Sequence, residues 1–266
     1  MKVISATEDK NSLGELLMSV QSEPVSITRN GKEQGVLLSS REYAALKRQA
    51  LVSAVQEGRK SGRAGTLDIE AIKNLITKVG NLAPERRMCR ISSPILPVAT
   101  ENTWKYYWSK PDVKAYCEKH FAICGDLARE LDVKISFHPG QFTVLASATP
   151  EIVDRSIEEF EYHASMARMM GFGKSFQDGC KINVHISGRQ GPEGIRKALP
   201  RLTPEARNLI TIENDEMGWG LDASLELEKD VALVMDIHHH WIRDEEYIEP
   251  DDDRVKRVID SWRGVR

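Results

Sequence analysis

The sequence predicts an α/β protein: a parallel sheet whose strands alternate with helices, preceded by a small α+β unit. Three observations lead to this fold class. From about residue 66 onward, short apolar runs alternate with amphipathic stretches, the pattern of β-α-β units. Each apolar run ends in polar residues, and the strand ends are where parallel sheets carry their chemistry. The first 65 residues follow a different order, β-α-β-β-α.

The composition narrows the class of protein. Of 266 residues, 41% are hydrophobic and 29% charged, which is ordinary for a globular protein. No apolar run approaches the ~20 residues that span a bilayer, and MKVISATEDK lacks the apolar core of a signal peptide. The four cysteines show no CxxC pairing, so a disulfide scaffold is not expected. We therefore expect a cytoplasmic protein without a membrane partner.

The charge is divided unevenly along the chain. Residues 1–63 contain ten Lys and Arg against seven Asp and Glu, which gives +3; the total of −3 leaves −6 for the remainder. A basic front and an acidic back indicate two modules with different tasks. Acidity in the second module does not exclude a DNA substrate, because an enzyme that holds divalent metals needs local carboxylates.

The first module begins with the β-like run KVISA and continues with apolar residues at helical spacing between 13 and 20. VSITRNGKEQGVLLS then gives two strands around Asn30 and Gly31, a strong hairpin signal because both residues accept positive φ. Ser39 and Ser40 precede a helical stretch that begins REYAALKRQA, and a serine suits its N-cap.

The run MKVISATEDKNSLGELLMSVQSEPVSITRNGKEQGVLLSSREYAALK resembles the N-terminal domain of the Phd/YefM antitoxin family. The resemblance implies a homodimer that binds operator DNA and a C-terminal tail that wraps a partner toxin. Candidate operator contacts are Lys10, Asn11, Arg29 and Lys32. For each of them a solvated surface charge or a helix cap is the alternative. Basic residues here would mostly bind phosphate and would not specify a base sequence.

A basic, Gly/Ser-rich segment, EGRKSGRAGT at residues 57–66, predicts a linker. The helical pattern LDIEAIKNLITKVGNL that follows fits either module. We place the boundary near residue 65, which divides the chain into an α+β domain with its linker at 1–65 and a (β/α) domain at 66–266.

The second module contains five strand candidates separated by helical stretches. Short, bounded apolar runs indicate strands buried on both faces, as in a parallel sheet covered by helices. The five candidates, in chain order, are RMCRISS, VKISFHP, CKINVHISG, NLITIEND and VALVMDIHHHW.

Histidine and carboxylate side chains follow four of these strands: His138, His185, Glu213, then Asp236 with the histidines at 238–240. Parallel neighbours lie ~4.8 Å apart, so these groups can converge above the sheet. Asp and His together suit Mn, Fe or Zn, and we predict a metal site. A single strand-end histidine is more often structural, and a His-rich loop after a core strand is the alternative for 238–240.

Six motifs of this module, in order, resemble the UV damage endonuclease (UvdE) family over about residues 70–266: RISSPILP, SFHPGQF, SIEEFEYH, NVHISG, TIENDE and DIHHHW. The family is a metal-dependent TIM barrel related to endonuclease IV and the xylose isomerases. The resemblance implies cleavage of double-stranded, UV-damaged DNA on the 5′ side of the photoproduct. It implies manganese, with zinc as the alternative metal.

Carried over by motif, the resemblance makes His138, His185, Glu213, Asp236 and His239 metal ligands, with Glu213 bridging neighbouring ions and Glu213, His185 and Asp236 acting in catalysis. Spacing alone does not select one of the three histidines. In a strict strand His238 would share the face of Asp236. The family motif selects His239, which requires the chain to leave strand geometry before that residue.

The loop after the second strand carries Gln141 and Phe142, which match the pair that family members insert into the duplex at the lesion. An aromatic ring and an amide can fill the space of displaced bases by stacking and hydrogen bonding. Packing of Phe142 within its own loop is the alternative.

The sequence departs from the family in its strand count. Five strands are recognisable, whereas a TIM barrel has eight, and the family's first and last strands are not among them. The last strands of relatives carry a lysine, a histidine and a glutamate that also serve the two or three metal sites. We therefore expect an incomplete TIM-barrel-like domain, incomplete metal sites, and weakened or absent nuclease activity of this chain alone.

Two hypotheses of different class follow. The first is a UvdE-like DNA repair endonuclease. The second is a Phd/YefM-like type II antitoxin, a DNA-binding autorepressor that neutralises a toxin, with the second module as a passenger. A third possibility is that an accident of genome rearrangement or gene calling joined the two modules.

Overall fold

The computed structural model of the chain describes residues 2–5, 13–29, 32–49, 69–92 and 95–265. The chain divides into two compact units, Met1–Thr66 and Leu67–Arg266. None of the described helices combines the length and the apolar character that crossing a lipid bilayer requires.

The described residues of the first unit form a three-stranded sheet and two helices, in the predicted order: β1 (Lys2–Ser5), α1 (Leu13–Val20), β2 (Val25–Arg29), β3 (Lys32–Leu37) and α2 (40–49). Strand β2 is central and pairs parallel with β1 and antiparallel with β3. Leu16 and Val20 of α1 pack with Val25 in a small buried cluster.

A capping box starts helix α2. The Ser39 hydroxyl accepts from the backbone N–H of Glu42, and the Glu42 carboxylate accepts from the backbone N–H of Ser39. These two bonds satisfy backbone donors that the first helical turn leaves open. The predicted serine cap is therefore confirmed.

The second unit is an alternation of helices with parallel strands, and its order is α3 (Ile69–Gly80), β4 (Met88–Arg90), α4 (Pro111–Glu130), β5 (Lys134–Phe137), α5 (Pro150–Met169), β6 (Cys180–His185), α6 (Gly191–Ala198), α7 (Pro204–Leu209), β7 (Ile210–Glu213), α8 (Leu221–Leu225), β8 (Ala232–Val234), α9 (Ile237–Asp244) and α10 (Asp253–Ser261). Short 3-10 turns cover Pro84–Arg86, Lys105–Ser109 and Leu199–Arg201.

The sheet of this unit has the order β4-β5-β6-β7-β8, and all four pairings are parallel. Among the described residues β4 and β8 form its two edges. The predicted α/β fold class with five parallel strands is confirmed. Because every strand runs in the same direction, the carboxyl ends of neighbouring strands meet at one edge of the sheet.

Helices cover the sheet and exclude water from it. The side chains of Phe121, Phe137 and Phe160, from α4, β5 and α5, are fully buried. Strand β7 is buried at all four residues, including Glu213. A buried carboxylate at the end of such a strand is costly unless polar groups surround it.

Candidate metal centre

Four strands bring histidine and carboxylate side chains to the carboxyl edge of the sheet. His138 directly follows β5, His185 ends β6 and Glu213 ends β7. The register of β6 and β7 makes His185 and Glu213 direct neighbours. Asp236 and His239 come from the turn and helix after β8. The residues that the sequence predicts as ligands therefore lie at one edge.

Backbone carbonyls orient two of the histidines in the same way. The Nδ1 of His138 lies 2.7 Å from the carbonyl oxygen of Asn183, and the Nδ1 of His239 lies 2.9 Å from that of Asn214. A carbonyl can only accept, so each neutral ring carries its proton on Nδ1 and presents Nε2 as an acceptor. This is the usual arrangement for metal-binding imidazoles.

His185 follows the same rule with a carboxylate as its partner. Its Nδ1 lies 3.3 Å from Asp215, and its Nε2 lies 3.2 Å from the Nε2 of His138 and 3.4 Å from Glu213. The two Nε2 atoms are close enough to share one proton in a hydrogen bond or to bind one cation together. Ligand atoms on one tetrahedral zinc ion are roughly 3.3 Å apart, so the spacing suits a shared divalent ion.

The candidate ligands form three overlapping groups in which the ligand atoms lie within 4.8 Å of one another: His138, His185 and Glu213; Glu213, Asp236 and His239; and His185, Glu216 and His239. Glu213 belongs to two of the groups, which suits the bridging position expected for it. A mixed set of imidazoles and carboxylates fits a borderline or hard divalent metal such as Zn or Mn.

The electrostatics of the cluster favour an ionised Glu213. Burial alone would raise the pKa of this carboxyl, but the hydrogen bond and charge of His185, with smaller effects of His138 and Asn183, bring it below its ordinary value. The pKa of His185 is raised, chiefly by its hydrogen bond to Glu213 and against the effect of burial. A proton and a metal ion thus compete for the Nε2 of His185.

Asp236 has a structural task in addition to its place in the cluster. One carboxylate oxygen caps helix α9 and accepts from the backbone N–H groups of His238 and His239 at 2.7 and 3.0 Å. Burial would raise the pKa of Asp236, and these two bonds with the nearby histidines lower it overall. The other oxygen lies 3.9 Å from the Nε2 of His239.

The sequence prediction for the last strand was wrong in its extent. Strand β8 ends at Val234, and helix α9 begins at Ile237, so the three histidines lie in a helix and not in a strand or a loop. Successive helical residues point about 100° apart, and His238 is exposed, His239 faces the cluster and His240 is buried. The departure from strand geometry that a His239 ligand requires is present.

Asparagine side chains that sequence analysis missed support the ligands. Asn183 donates to Glu213 and accepts from the hydroxyl of Thr211. Asn214, fully buried, accepts from the backbone N–H of Asp236 and donates to its carbonyl, at 2.7 and 2.9 Å. In the sequence Asn183 lies two residues before the predicted ligand His185, and Asn214 directly follows the predicted ligand Glu213. This proximity is the only sequence signal for either asparagine.

A cleft of about 70 Å³ opens beside the cluster, and its lining includes His138, Gln141, His185 and Asp215. Gln141 is exposed, and Phe142 is 85% exposed on the same loop. Packing of Phe142 within its loop, the alternative considered from the sequence, does not occur. The ring is available to a partner outside the chain.

Two of the four candidate operator contacts can be placed. Arg29 and Lys32 are exposed and directly opposite each other where β2 and β3 meet the hairpin. Lys10 and Asn11 lie outside the described residues, as do Asn30 and Gly31 of the predicted turn.

The fold and the cluster define a parallel α/β protein with a candidate divalent metal centre at the carboxyl edge of its sheet. A family model described as UV-endonuclease UvdE matches residues 37–265, and the chain belongs to this family. A second model, for the Phd_YefM antitoxin of type II toxin-antitoxin systems, matches residues 1–70. Both resemblances predicted from the sequence are confirmed.

Individual relatives agree with the family. The UV-damage endonuclease of Neurospora crassa is 28% identical over 163 residues, which cover 59% of this chain and 24% of that protein. The UV DNA damage endonuclease of Bacillus velezensis is 26% identical over 235 residues, 86% of this chain and 68% of that protein. The chain thus spans from a quarter to two thirds of the length of these relatives.

A solved structure described as the crystal structure of SacUVDE has a similar fold. The two superpose with a TM-score of 0.60 and 26% sequence identity, over 73% of this chain and 65% of the other.

Proposed function

We propose that this chain is a metal-dependent endonuclease that nicks double-stranded DNA on the 5′ side of UV photoproducts. The observation that carries the proposal is the cluster of His138, His185 and Glu213, whose ligand atoms converge and whose imidazoles are oriented for metal binding. Membership of the UvdE family and the names of the relatives support it.

The residues have distinct tasks in this proposal. His138, His185, Glu213, Asp236 and His239 would hold the ions, with Glu213 shared between two of them. Bound Mn²⁺, or Zn²⁺ as the alternative, would polarise the scissile phosphate, promote deprotonation of the attacking water and stabilise the leaving 3′-oxygen. Asn183 and Asn214 keep the ligands in position, so that little reorganisation is needed when an ion binds.

Recognition of the lesion would fall to the loop after β5. Phe142 offers an exposed aromatic face for stacking, and Gln141, which lines the cleft, offers an amide for hydrogen bonds. A photoproduct already weakens base stacking, so displacing its bases costs less than displacing normal ones.

Nicking of supercoiled plasmid tests the proposal. Wild-type protein with Mn²⁺ should convert UV-irradiated plasmid to the open circle faster than unirradiated plasmid, and EDTA should stop it. The Glu213→Gln variant gives the background rate of nicking. Glu226→Gln, which changes an exposed glutamate outside the cluster, is the matched control. Nicking above the Glu213→Gln background supports the proposal even if it is slow, as the strand count predicts. Equal rates for wild type and Glu213→Gln contradict it.

A second candidate function concerns the first unit, for which we propose homodimerisation, operator binding and contact with a toxin. The match of residues 1–70 to the Phd_YefM family supports it, together with the pair of Arg29 and Lys32. Like charges directly opposite each other destabilise a sheet, so such a pair suits a phosphate ligand.

A gel shift with DNA from upstream of the gene tests this second function on the full chain. If both side chains bind phosphate, Arg29→Gln and Lys32→Gln should each reduce the slope of log affinity against log salt concentration by about one. Unchanged affinity and salt dependence in both variants would remove the two residues from the DNA contact.

A further inference from the structure

Glu216, in the loop between β7 and α8, has a buried carboxylate oxygen without a hydrogen-bond partner among the described residues. This oxygen, Oε2, lies 3.4 Å from the Nε2 of His239. A carboxylate oxygen withdrawn from water loses solvation unless a donor or a cation replaces the water. The described residues supply no such hydrogen-bond donor to this oxygen.

The atom that faces this oxygen, the Nε2 of His239, is itself a hydrogen-bond acceptor when the ring is neutral. The Nδ1 of His239 donates to the carbonyl of Asn214 at 2.9 Å, which leaves Nε2 unprotonated. A lone pair and a carboxylate oxygen at 3.4 Å repel each other, and a divalent cation bound to both converts the repulsion into two ligand bonds. The distance is also about that between two ligand atoms on one ion.

The site of Glu216 and His239 adjoins His185, whose Nε2 carries one lone pair and can therefore bind only one of two neighbouring ions. His185, Glu216 and His239 offer ligand atoms that all lie within 4.8 Å of one another. The rings of His185 and His239 meet edge to face, with centroids 5.1 Å apart. An ion at this position would therefore be a close neighbour of one held by His138, His185 and Glu213.

Hydrogen bonds to the residues that follow Glu216 fix the conformation of its loop. The Asp215 carboxylate accepts from the backbone N–H groups of Met217 and Gly218 at 2.7 and 2.6 Å, and Arg243 donates to the carbonyl of Gly218 at 2.6 Å. Asp215 itself is buried and also contacts the Nδ1 of His185. The loop thus presents Glu216 towards the cluster in a fixed conformation, as a ligand requires.

We propose that Glu216 is a metal ligand of this chain, which together with His239 holds a second divalent cation beside the His138–His185–Glu213 position. The proposal rests on metal binding at the proposed nuclease site and adds a ligand to it. It gives the chain a carboxylate donor from the β7–α8 loop, next to the strand-end ligands.

Calorimetric titration of the full-length chain with Mn²⁺ alone, without DNA, tests the proposal. Wild type and Glu226→Gln should bind two ions. Glu216→Gln should retain one and lose the other, or bind it more than about 10-fold more weakly. Glu216→Asp, which keeps the charge on a shorter side chain, should fall between the two. The far-UV circular dichroism of all four proteins should agree, because the buried Oε2 of Glu216 has no hydrogen-bond partner among the described residues.

Equal stoichiometry and affinity within twofold for wild type and Glu216→Gln would overturn the proposal, as would wild-type protein that binds no Mn²⁺. Failure of the proposed function has a different signature. If Mn²⁺ binding depends on Glu216 but irradiated plasmid is not nicked above the Glu213→Gln background, the ligand assignment stands and the nuclease does not.

Discussion

His239 and His240 are neighbours in one helix and have opposite environments. His239 is half-buried, and its Nε2 faces the carboxylates of Asp236 and Glu216. His240 is 3% exposed and lies between two other carboxylates, 3.0 Å from Asp244 and 3.1 Å from Glu246. The first ring belongs to the candidate metal cluster, and the second belongs to the structure around α9.

The carboxylates around the two rings explain the difference. Glu246 is held by Arg254 through two bonds of 2.9 Å, and Arg254 also binds Asp252. The carboxylates of Glu246 and Asp252 are therefore paired with a cation of the protein. Beside His239 the buried oxygen of Glu216 has no such cation among the described residues. Carboxylates without a protein cation are suited to a metal ion, whereas carboxylates paired with an arginine stabilise a fold.

The largest effect on Mn²⁺ affinity is expected at Glu213, which belongs to two of the three ligand groups. Glu213→Gln removes the charge shared by two ligand groups and should raise the dissociation constant for Mn²⁺ by more than about 100-fold, since the loss of supporting residues alone costs 10–100-fold. Calorimetry measures the change, with Glu226→Gln as the control. A change below tenfold would remove Glu213 from the bridging position.

The next largest effect is expected at Asn214, which holds the backbone of Asp236 in position. Asn214→Ala removes the acceptor of the Asp236 backbone N–H and one of the two donors to the Asp236 carbonyl, which keeps the N–H of His240, and should lower the free energy of unfolding by about 1–3 kcal/mol. It should also weaken Mn²⁺ binding by about 10–100-fold, because Asp236 and His239 lose their fixed positions. Urea unfolding and calorimetry measure both effects. Loss of stability with unchanged Mn²⁺ affinity would separate Asn214 from the metal centre.

In the network of Arg254 and the carboxylates around His240, we expect a smaller effect, a change in stability that depends on pH. The hydrogen bond from Arg254, followed by its other contacts, lowers the pKa of Asp252 to about 2 from an ordinary 3.8. Because the folded pKa is depressed, this carboxylate stabilises the fold above pH 3.8, and the contribution is lost as the pH falls towards 2. Arg254→Met should lower the urea midpoint more at pH 7 than at pH 3, with Mn²⁺ affinity unchanged.

An NMR titration provides the check on this prediction. The Asp252 carboxyl should titrate near 2 in the wild type and return towards 3.8 in Arg254→Met. Identical titration curves in the two proteins would mean that the ion pair does not form in solution.

The smallest effect is expected at His238, the exposed member of the three. His238→Ala should change the free energy of unfolding by less than about 0.5 kcal/mol and Mn²⁺ affinity by less than twofold. A larger loss of affinity would show that His238, which strand geometry favours, is the ligand in place of His239.

Much of the fold follows from the sequence because apolar periodicity determines it locally. The five strands, the long helices α4 and α5 and the positions of His138, His185 and Glu213 at strand ends were all predictable in this way. The extent of the last strand was not predicted, because Asp236, the local signal for a helix start in VALVMDIHHHW, was interpreted only as a metal ligand at the strand end. Its end depends on Asp236 capping α9 and on Asn214, 22 residues earlier, binding the Asp236 backbone.

The supporting and additional site residues were not predictable for a related reason. Asn183 reaches Glu213 across 30 residues of sequence, and Glu216 reaches His239 from another loop. Such pairs form only when strands β6, β7 and β8 lie side by side, and no spacing rule within a single segment reports them. Helices α7 and α10 were also missed, since both are short and their surroundings are polar.

The dissociation constant for Mn²⁺ of His239→Ala, measured beside that of His240→Ala, tests whether His239 binds the metal ion and His240 does not. His239→Ala should bind Mn²⁺ at least about 10-fold more weakly, while its free energy of unfolding changes by less than about 1 kcal/mol. His240→Ala should bind Mn²⁺ within twofold of the wild type and lose about 1–3 kcal/mol of stability, because Glu246 loses its hydrogen bond to the His240 ring and a buried side chain is removed. Equal Mn²⁺ affinities in the two variants, or the greater loss in His240→Ala, would mean that His239 is not the ligand.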